Sequence, residues 1–307
     1  MNNFFETRMN RRRLLGHLGA VGAGAAIAPL ASFGQAQDLS PELDAKILNF
    51  ALNLEYLEAE FYLRAVYGRG LDDADIGPDA GEVISGGEKI EFSTPVMQSY
   101  AEEIAKDEEA HVKFLRAALG DAAVSRPTLN FGDAFTTAAR ASGIIPPDGT
   151  LEGLDPEVVF LLGAFIFEDV GVTAYNGAAP FISSGDFLEA AAGILAVESY
   201  HAGSIRNLLY CKKEEKVGGV KLRNIIQKVS NARDLLDGEG DMDQGIVRDN
   251  PFNTWANIVP TDENALVYAR TPFQVLNIVY LDLAGEATPG GFFPDGLNGD
   301  FSGVPSL

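Results

Sequence analysis

The chain has very few of the residues that most often carry chemistry in proteins. Its 307 residues include one cysteine, one tryptophan and three histidines. The single cysteine, Cys211, excludes an internal disulfide and a cysteine-ligated metal site. His17 falls in a predicted export signal, so only His111 and His201 remain for acid–base or metal chemistry.

The first 37 residues contain almost no acidic side chain. Arg11, Arg12 and Arg13 precede a stretch without formal charge over residues 14–37, which is rich in Gly and Ala and has small residues at 34–36. This order predicts a cleaved export signal over residues 1–36. The adjacent arginines resemble a bacterial twin-arginine signal, which implies a periplasmic or extracellular location. Because Gly and Ala make a poor membrane span, we expect cleavage and no stable membrane insertion of the mature chain.

The mature chain is also poor in basic residues. The export signal holds four of the 23 lysines and arginines and one of the 44 acidic residues. The remainder is 19 basic and 43 acidic residues, a net charge of −24. Such a charge argues against nucleic acid and anionic membrane surfaces as partners. The mature length is sufficient for a full hydrophobic core, and a homo-oligomer is compatible with it.

Four segments carry apolar residues at helical rather than alternating spacing. They predict helices over about 41–67, 94–119, 156–178 and 184–209. A long connection separates the second helix from the third, with a short helix predicted near 132–141, and it allows the chain to cross the bundle. The short link around Pro180 predicts antiparallel neighbours. The sequence therefore predicts an all-α four-helix bundle with one long crossover over residues 37–211.

The regular pattern ends after Cys211. We expect residues 212–307 to form an extension of helix and coil that packs on the bundle. Helices are predicted over about 220–236 and 265–283, the second of them broken at Pro272. The last 24 residues, rich in Gly, Pro and Phe, are predicted to be coil, and residues 68–91 to be a loop.

Both remaining histidines lie three residues after a glutamate. The pairs are Glu108 with His111 and Glu198 with His201, and this spacing places each pair on one face of a helix. Both pairs lie on the apolar stripes of their helices, and Glu168 does so on the third helix. Unpaired carboxylates in a core are costly, and two divalent metal ions would neutralise four of them. The alternative is a polar network that only fixes the register of the helices.

The first helix offers two candidate carboxylates. Glu55 and Glu58 lie on neighbouring apolar stripes, and both can face the core. An internal repeat favours Glu55, because aligning it with Glu168 also aligns Tyr62 with Tyr175. Glu58 would then be an additional carboxylate beside the site or a residue at the core edge. We expect the two tyrosines to make ordinary packing contacts.

Two segments resemble a known family. Residues 53–62, NLEYLEAEFY, resemble the opening helix of the ferritin-like superfamily, and more narrowly the bacterial and plant desiccation-related ferritin-like-domain proteins. Residues 270–280, RTPFQVLNIVY, are similar to a closing motif of that narrower group. The resemblance implies a ferritin-like bundle with a dinuclear iron or manganese centre that reacts with oxygen or peroxide. The ligands it implies are Glu55, Glu108, His111, Glu168, Glu198 and His201.

The resemblance leaves two classes of function open. The first is a di-metal oxidase or peroxidase, including a catalase-like activity, which acts on a small oxidant. The second is a non-catalytic desiccation or stress scaffold, or a protein that binds iron without turnover. Oxygen and nitrogen ligands without a thiolate suit iron or manganese in either case.

Overall fold

The computed structural model describes residues 39–86, 88–249 and 254–305. The predicted export signal, residues 1–36, lies outside the described residues. Within them the chain is mainly helical, with only short strand pieces, and the predicted all-α class is confirmed. The helices are α1 (Pro41–Tyr67), α2 (Asp73–Ile76), α3 (Pro95–Leu119), α4 (Gly132–Ala141), α5 (Pro156–Ala178), α6 (Gly185–Cys211), α7 (Leu222–Asp237) and α8 (Pro272–Tyr280).

Local sequence explains where the four long helices begin. α1, α3, α5 and α6 each follow a capping residue whose side chain accepts a hydrogen bond from a backbone N–H of the first turn. Three of the four also have proline in the first turn, where its missing N–H costs nothing. The capping residues are Ser40, Thr94, Asp155 and Ser184.

The long helices pack as two pairs, α1 with α3 and α5 with α6. The connection between the pairs carries α4, whose Phe135 packs on Phe61 of α1. The loop after α1 is not irregular throughout, since it contains α2 and strand β1 (Val83–Ile84). β1 pairs in parallel with β2 (Leu129–Asn130) and so ties this loop to the crossover.

Helix α5 is apolar on nearly every face. The segment Pro156–Phe181 is long and apolar enough to cross a membrane by length and composition, but 83% of its most apolar window is buried inside the protein. A core helix passes the same test, and the surrounding helices account for the burial. The apolar character of α5 therefore positions it at the centre of the fold.

Residues after α6 pack on the bundle mainly through α7 and α8, which contact each other and α5. Two antiparallel hairpins accompany them: β3 (Lys216–Val217) with β4 (Val220–Lys221), and β5 (Val247–Asp249) with β6 (Thr254–Ala256). Residues 265–271 are not helical, contrary to the sequence prediction. Thr271 forms a capping box with Gln274, and Pro272 occupies the first turn, so that α8 begins at the proline instead of being broken by it.

A buried ionic network joins this C-terminal part to α5. Asp169 accepts hydrogen bonds at 2.8 Å from both Arg206 and Arg233. Arg233 also pairs with Asp243 at 2.5 Å. Arg270 donates to Asp237 at 2.6 Å and to Asp243. The six side chains are nearly or fully buried, so each charge depends on its partners.

Replacing Arg270 by Ala is expected to destabilise the fold strongly. The substitution removes a cation from beside two buried carboxylates, and breaking such a pair costs about 3–5 kcal/mol. Urea denaturation measures the change in the free energy of unfolding. The matched control is Arg69→Ala, because Arg69 is exposed and its ion pairs are worth about 1 kcal/mol or less. Equal effects of the two substitutions would contradict a structural role for the network.

Candidate metal centre

The six predicted ligands meet in the middle of the bundle. Each long helix contributes at least one of them, and the helical spacing brings each Glu-x-x-His pair to the same side of its helix. The glutamates are fully buried, while His111 and His201 retain 8% and 5% exposure. The contributions are Glu55 from α1, Glu108 and His111 from α3, Glu168 from α5, and Glu198 and His201 from α6.

One group of ligand atoms surrounds His111, and we call it the His111 position. Its members, Glu55, Glu108, His111 and Glu198, each offer one atom, and these atoms lie within 4.8 Å of one another. His111 Nδ1 is 3.2 Å from an oxygen of Glu55, 3.2 Å from one of Glu108 and 3.7 Å from one of Glu198. Two ligands about 2.1 Å from one ion and at right angles lie about 3 Å apart. The group therefore has the dimensions of a coordination sphere.

A second group, the His201 position, consists of Glu108, Glu168 and His201. His201 Nδ1 lies 2.9 Å from Glu108 Oε1 and 3.5 Å from Glu168 Oε2. Glu108 belongs to both positions, because its Oε2 faces His111 and its Oε1 faces His201. A carboxylate shared in this way is suited to bridge two ions.

Several buried ligand atoms have no hydrogen-bond partner among the described residues. They are Glu168 Oε2, both side-chain oxygens of Glu198, and Glu108 Oε1 and His201 Nδ1, which lie 2.9 Å apart as an ion pair but form no hydrogen bond. Native proteins rarely leave such atoms unsatisfied, since each one costs about 1–3 kcal/mol or more when charged. The residues that carry these atoms all belong to the two ligand groups. The donor set therefore fits two divalent cations, which would satisfy these atoms and neutralise the carboxylates.

Electrostatics lead to the same interpretation. Burial raises the pKa of Glu55 to about 7, against the opposing effect of His111. Burial, followed by the charges of neighbouring carboxylates, raises the pKa of Glu198 well above its usual range. Burial would lower the pKa of His111, but Glu55 and Glu108 outweigh it and raise the value to about 11. At neutral pH this cluster must hold either protons or metal ions, and metal binding releases the protons.

Glu58 lies at the same centre, so both candidate carboxylates of α1 face inward. Glu58 is 5% exposed, and burial together with Glu108, Glu55 and Glu168 raises its pKa well above its usual range. Glu55 is the one that belongs to a ligand group, beside His111. Glu58 is a fifth carboxylate next to Glu198, on the side where Gly171 of α5 approaches.

The two tyrosines do more than pack. Tyr62 of α1 donates a hydrogen bond to Glu168 Oε1 of α5 at 2.5 Å, and Tyr175 of α5 donates one to Glu55 of α1. Each tyrosine thus donates a hydrogen bond to a candidate metal-binding glutamate of the other helix pair. The repeated Glu-x6-Tyr spacing was the sequence signal for this arrangement, although ordinary packing was expected from it.

Asp107 is a residue of the centre that the sequence analysis missed. Its Oδ2 lies 3.1 Å from Nε2 of His201, the ring nitrogen that faces away from the ligand group. A carboxylate at this place fixes the ring orientation of a metal-binding histidine and its tautomer. Val197 occupies the equivalent position in α6, directly before Glu198. The two positions are therefore unequal, since a carboxylate precedes Glu108 and an apolar side chain precedes Glu198.

Comparisons with known proteins agree with this fold. The sequence model of the ferritin-like domain family matches residues 43–211. The chain is similar to ferritin-like catalase Nec2 of Nesocodon mauritianus, with 29% identity over 272 residues that cover 84% of each chain. It is also similar to desiccation-related protein PCC13-62 of Craterostigma plantagineum, with 29% identity over 285 residues, or 88% of this chain and 87% of the relative. No solved structure matches significantly.

Replacing Gly171 by Ala is expected to abolish metal binding without harming the helix. An added Cβ would lie 2.4 Å from Glu198 Oε2, so this carboxylate must move, and it would reach van der Waals contact with Glu58 Oε1 at 3.4 Å. Alanine in a helix interior otherwise stabilises by about 0.5–1 kcal/mol. Metal analysis combined with circular dichroism measures both effects. Gly193→Ala, where a Cβ meets nothing within 4 Å, is the control and keeps its metal. Full metal content in Gly171→Ala would contradict the assigned geometry.

Asp107→Asn is expected to lower the affinity for the metal ion at the His201 position by about 10–100-fold. The amide of asparagine orients His201 less well than the carboxylate does. Calorimetric titration of the demetallated protein with Mn²⁺ resolves the two affinities. Glu103→Gln, an exposed change on the same helix, is the control and leaves both affinities unaltered. Loss of both ions in equal measure, or of neither, would contradict the inequality of the two positions.

Proposed function

The chain belongs to the ferritin-like domain family, and from this premise we propose that it binds two iron or manganese ions and uses them to consume peroxide. The observation that carries the proposal is the set of buried, unpartnered oxygen and nitrogen atoms around the shared carboxylate of Glu108. Four glutamates carry four negative charges, which two divalent cations neutralise. The absence of thiolate from the donor set favours iron or manganese.

The bound ions would supply the redox chemistry, and the side chains would create its surroundings. Glu108 would contribute to both ligand groups, through the oxygen that faces His111 and the oxygen that faces His201. Tyr62 and Tyr175 hold the carboxylates of Glu168 and Glu55 in place. Burial favours the protonated form of Glu58, so that its carboxyl group can hold a proton beside the centre.

Access to the centre is narrow in this proposal. The side chains of the ligand glutamates are at most 1% exposed, whereas those of His111 and His201 are 11% and 6% exposed. A ligand that reaches the ions from solvent would therefore pass the histidine side, between α3 and α6. A molecule as small as hydrogen peroxide suits such an opening better than a large substrate. Exclusion of bulk water from the other sides strengthens the electrostatic interactions inside.

The relatives support a protective role. One is named a ferritin-like catalase and the other a desiccation-related protein. A catalase-like reaction converts two peroxide molecules into two waters and one dioxygen, and needs no other substrate. We further propose that the protein works outside the cytoplasm, on the basis of the arginine-rich start and uncharged stretch of residues 1–36.

A stable scaffold without turnover is the second candidate. It is favoured by the name of the desiccation-related relative and by the buried ionic network that connects α5 to α7 and to Arg270, just before α8. In that case the ions would stabilise the fold only, through binding to the native state. Measurements of metal content and of turnover separate the two candidates.

The direct test is Glu198→Gln, with Glu189→Gln as the control on an exposed site of the same helix. The wild-type protein and the control are expected to hold about two ions per chain and to consume peroxide, since the ligand set is intact. Glu198→Gln is expected to lose stoichiometric metal and more than about 100-fold of the rate. Elemental analysis and a peroxide electrode provide the measurements.

The melting temperature supplies a second result. Demetallated Glu198→Gln is expected to be at least as stable as the demetallated wild type. Burial raises the pKa of Glu198, so this carboxyl group must take up a proton on folding at neutral pH, whereas glutamine is neutral without one. Wild-type protein that binds its metal but leaves peroxide untouched would favour the scaffold. Protein from its native export route that holds neither iron nor manganese would refute the metal centre itself.

A further inference from the structure

A pocket of about 310 Å³ lies beside the metal centre and takes no part in it. It is formed by α1, the loop after β1, the start of α4, the end of the crossover and the start of α5. Its volume is in the range of small-molecule sites, and its surface is mostly apolar. The residues that matter for its chemistry are Phe61, Arg64, Glu88, Phe131, Phe135 and Phe160.

Four aromatic rings form the wall of this pocket. Phe61 and Phe160 are stacked at 5.3 Å between ring centroids, with 10° between their planes. Phe131 and Phe135 are stacked at 6.2 Å and 22°. Rings arranged in this way favour a flat aromatic molecule, which gains stacking or edge contacts in addition to the burial of its own surface.

Two charged side chains of opposite sign complete the lining. Arg64 offers N–H donors, and its Nε already bonds Glu60 at 2.8 Å. Glu88 is an exposed residue of the lining, and its carboxylate oxygens can accept hydrogen bonds. A hydroxyl group of a bound molecule can accept a hydrogen bond from Arg64 and donate one to Glu88. A planar phenol combines such a hydroxyl with the aromatic ring that the walls favour.

The pocket wall leads directly to a metal ligand. The rings of Phe61 and Phe160 contact the ring of Tyr62 edge-on, at centroid distances of 5.1 Å and 5.6 Å. Tyr62 donates its O–H to Glu168, which belongs to the His201 position. Only one side chain, a tyrosine, therefore separates the lining of the pocket from the ligand set. A tyrosine side chain can lose one electron and its hydroxyl proton to become a radical, and a donor can reduce it again.

We propose that this pocket binds a planar phenol as an electron donor and that Tyr62 relays its electrons to the metal centre. The inference rests on the proposed peroxide chemistry and adds a peroxidase reaction to it, in which the phenol replaces the second peroxide molecule as the reductant. Two phenol molecules each lose one electron and the hydroxyl proton and become phenoxyl radicals. The two electrons and two protons reduce one hydrogen peroxide to two water molecules.

Binding is tested first, on the demetallated protein, with 2-naphthol as a fluorescent probe. Leu154→Trp and Leu151→Trp place a bulky ring at two half-buried positions of the lining, and each is expected to weaken naphthol binding at least tenfold. Leu235→Trp, on the exposed face of α7, is the matched control and binds as the wild type does. Equal binding of naphthalene or of decanoic acid would overturn the assignment of the site to phenols.

Oxidation is tested next, with the metal-loaded protein, hydrogen peroxide and 2-naphthol. Leu154→Trp is expected to raise the KM for naphthol at least tenfold. Tyr62→Phe is expected to bind naphthol normally in the demetallated form but to lower kcat for its oxidation at least tenfold, relative to peroxide consumed. Equal kcat for Tyr62→Phe and wild type would overturn the relay.

Peroxide consumption without naphthol distinguishes the two proposals. A wild-type protein that consumes peroxide and leaves naphthol unoxidised refutes the reductant site while the proposed function stands. A protein that consumes no peroxide refutes the proposed function, and the oxidation step falls with it. Naphthol binding that is lost in both tryptophan variants would then still identify the pocket as a phenol site.

Discussion

Five carboxylates buried at the centre of a four-helix bundle are the constraint on which the rest of the structure depends. Glu55, Glu58, Glu108, Glu168 and Glu198 are almost completely withdrawn from water. Like charges this close raise one another's pKa unless cations stand between them. The surrounding features make sense only with this cluster in mind: two histidines that complete the donor set, two tyrosines that orient carboxylates, and a glycine that leaves room for two of them.

Much of the fold could be predicted because its signals are local. The predicted limits 41–67 and 156–178 coincide with α1 and α5, since caps, prolines and terminal residues mark them. The ligand set could be proposed because carboxylates on apolar helical stripes are anomalous. Asp107 escaped notice because it lies off the buried stripe and acts through a residue of another helix. The network of Asp169, Arg233 and Arg270 was not predicted, because its partners are far apart in sequence and no regular spacing relates them.

The C-terminal part and the metal centre are coupled through one helix. Glu168 and Asp169 are consecutive on α5: the first faces the ligand groups, and the second holds two arginines of the ionic network. Burial of α5 on all sides fixes its rotation, so that neighbouring residues can serve two separate clusters. A site on such a rigid element keeps its geometry, which coordination requires to within about 0.5 Å. The extension after α6 thereby contributes to the centre without supplying a ligand.

The crossed tyrosines have a consequence for how such a chain could arise. Tyr62 of the α1–α3 pair holds a glutamate of the α5–α6 pair, and Tyr175 returns the contact. Neither helix pair completes the coordination alone, but two copies of one pair, related by a twofold axis, would complete it for each other. Because both helix pairs belong to one chain, they need not be identical, and Asp107 opposite Val197 is one place where they differ.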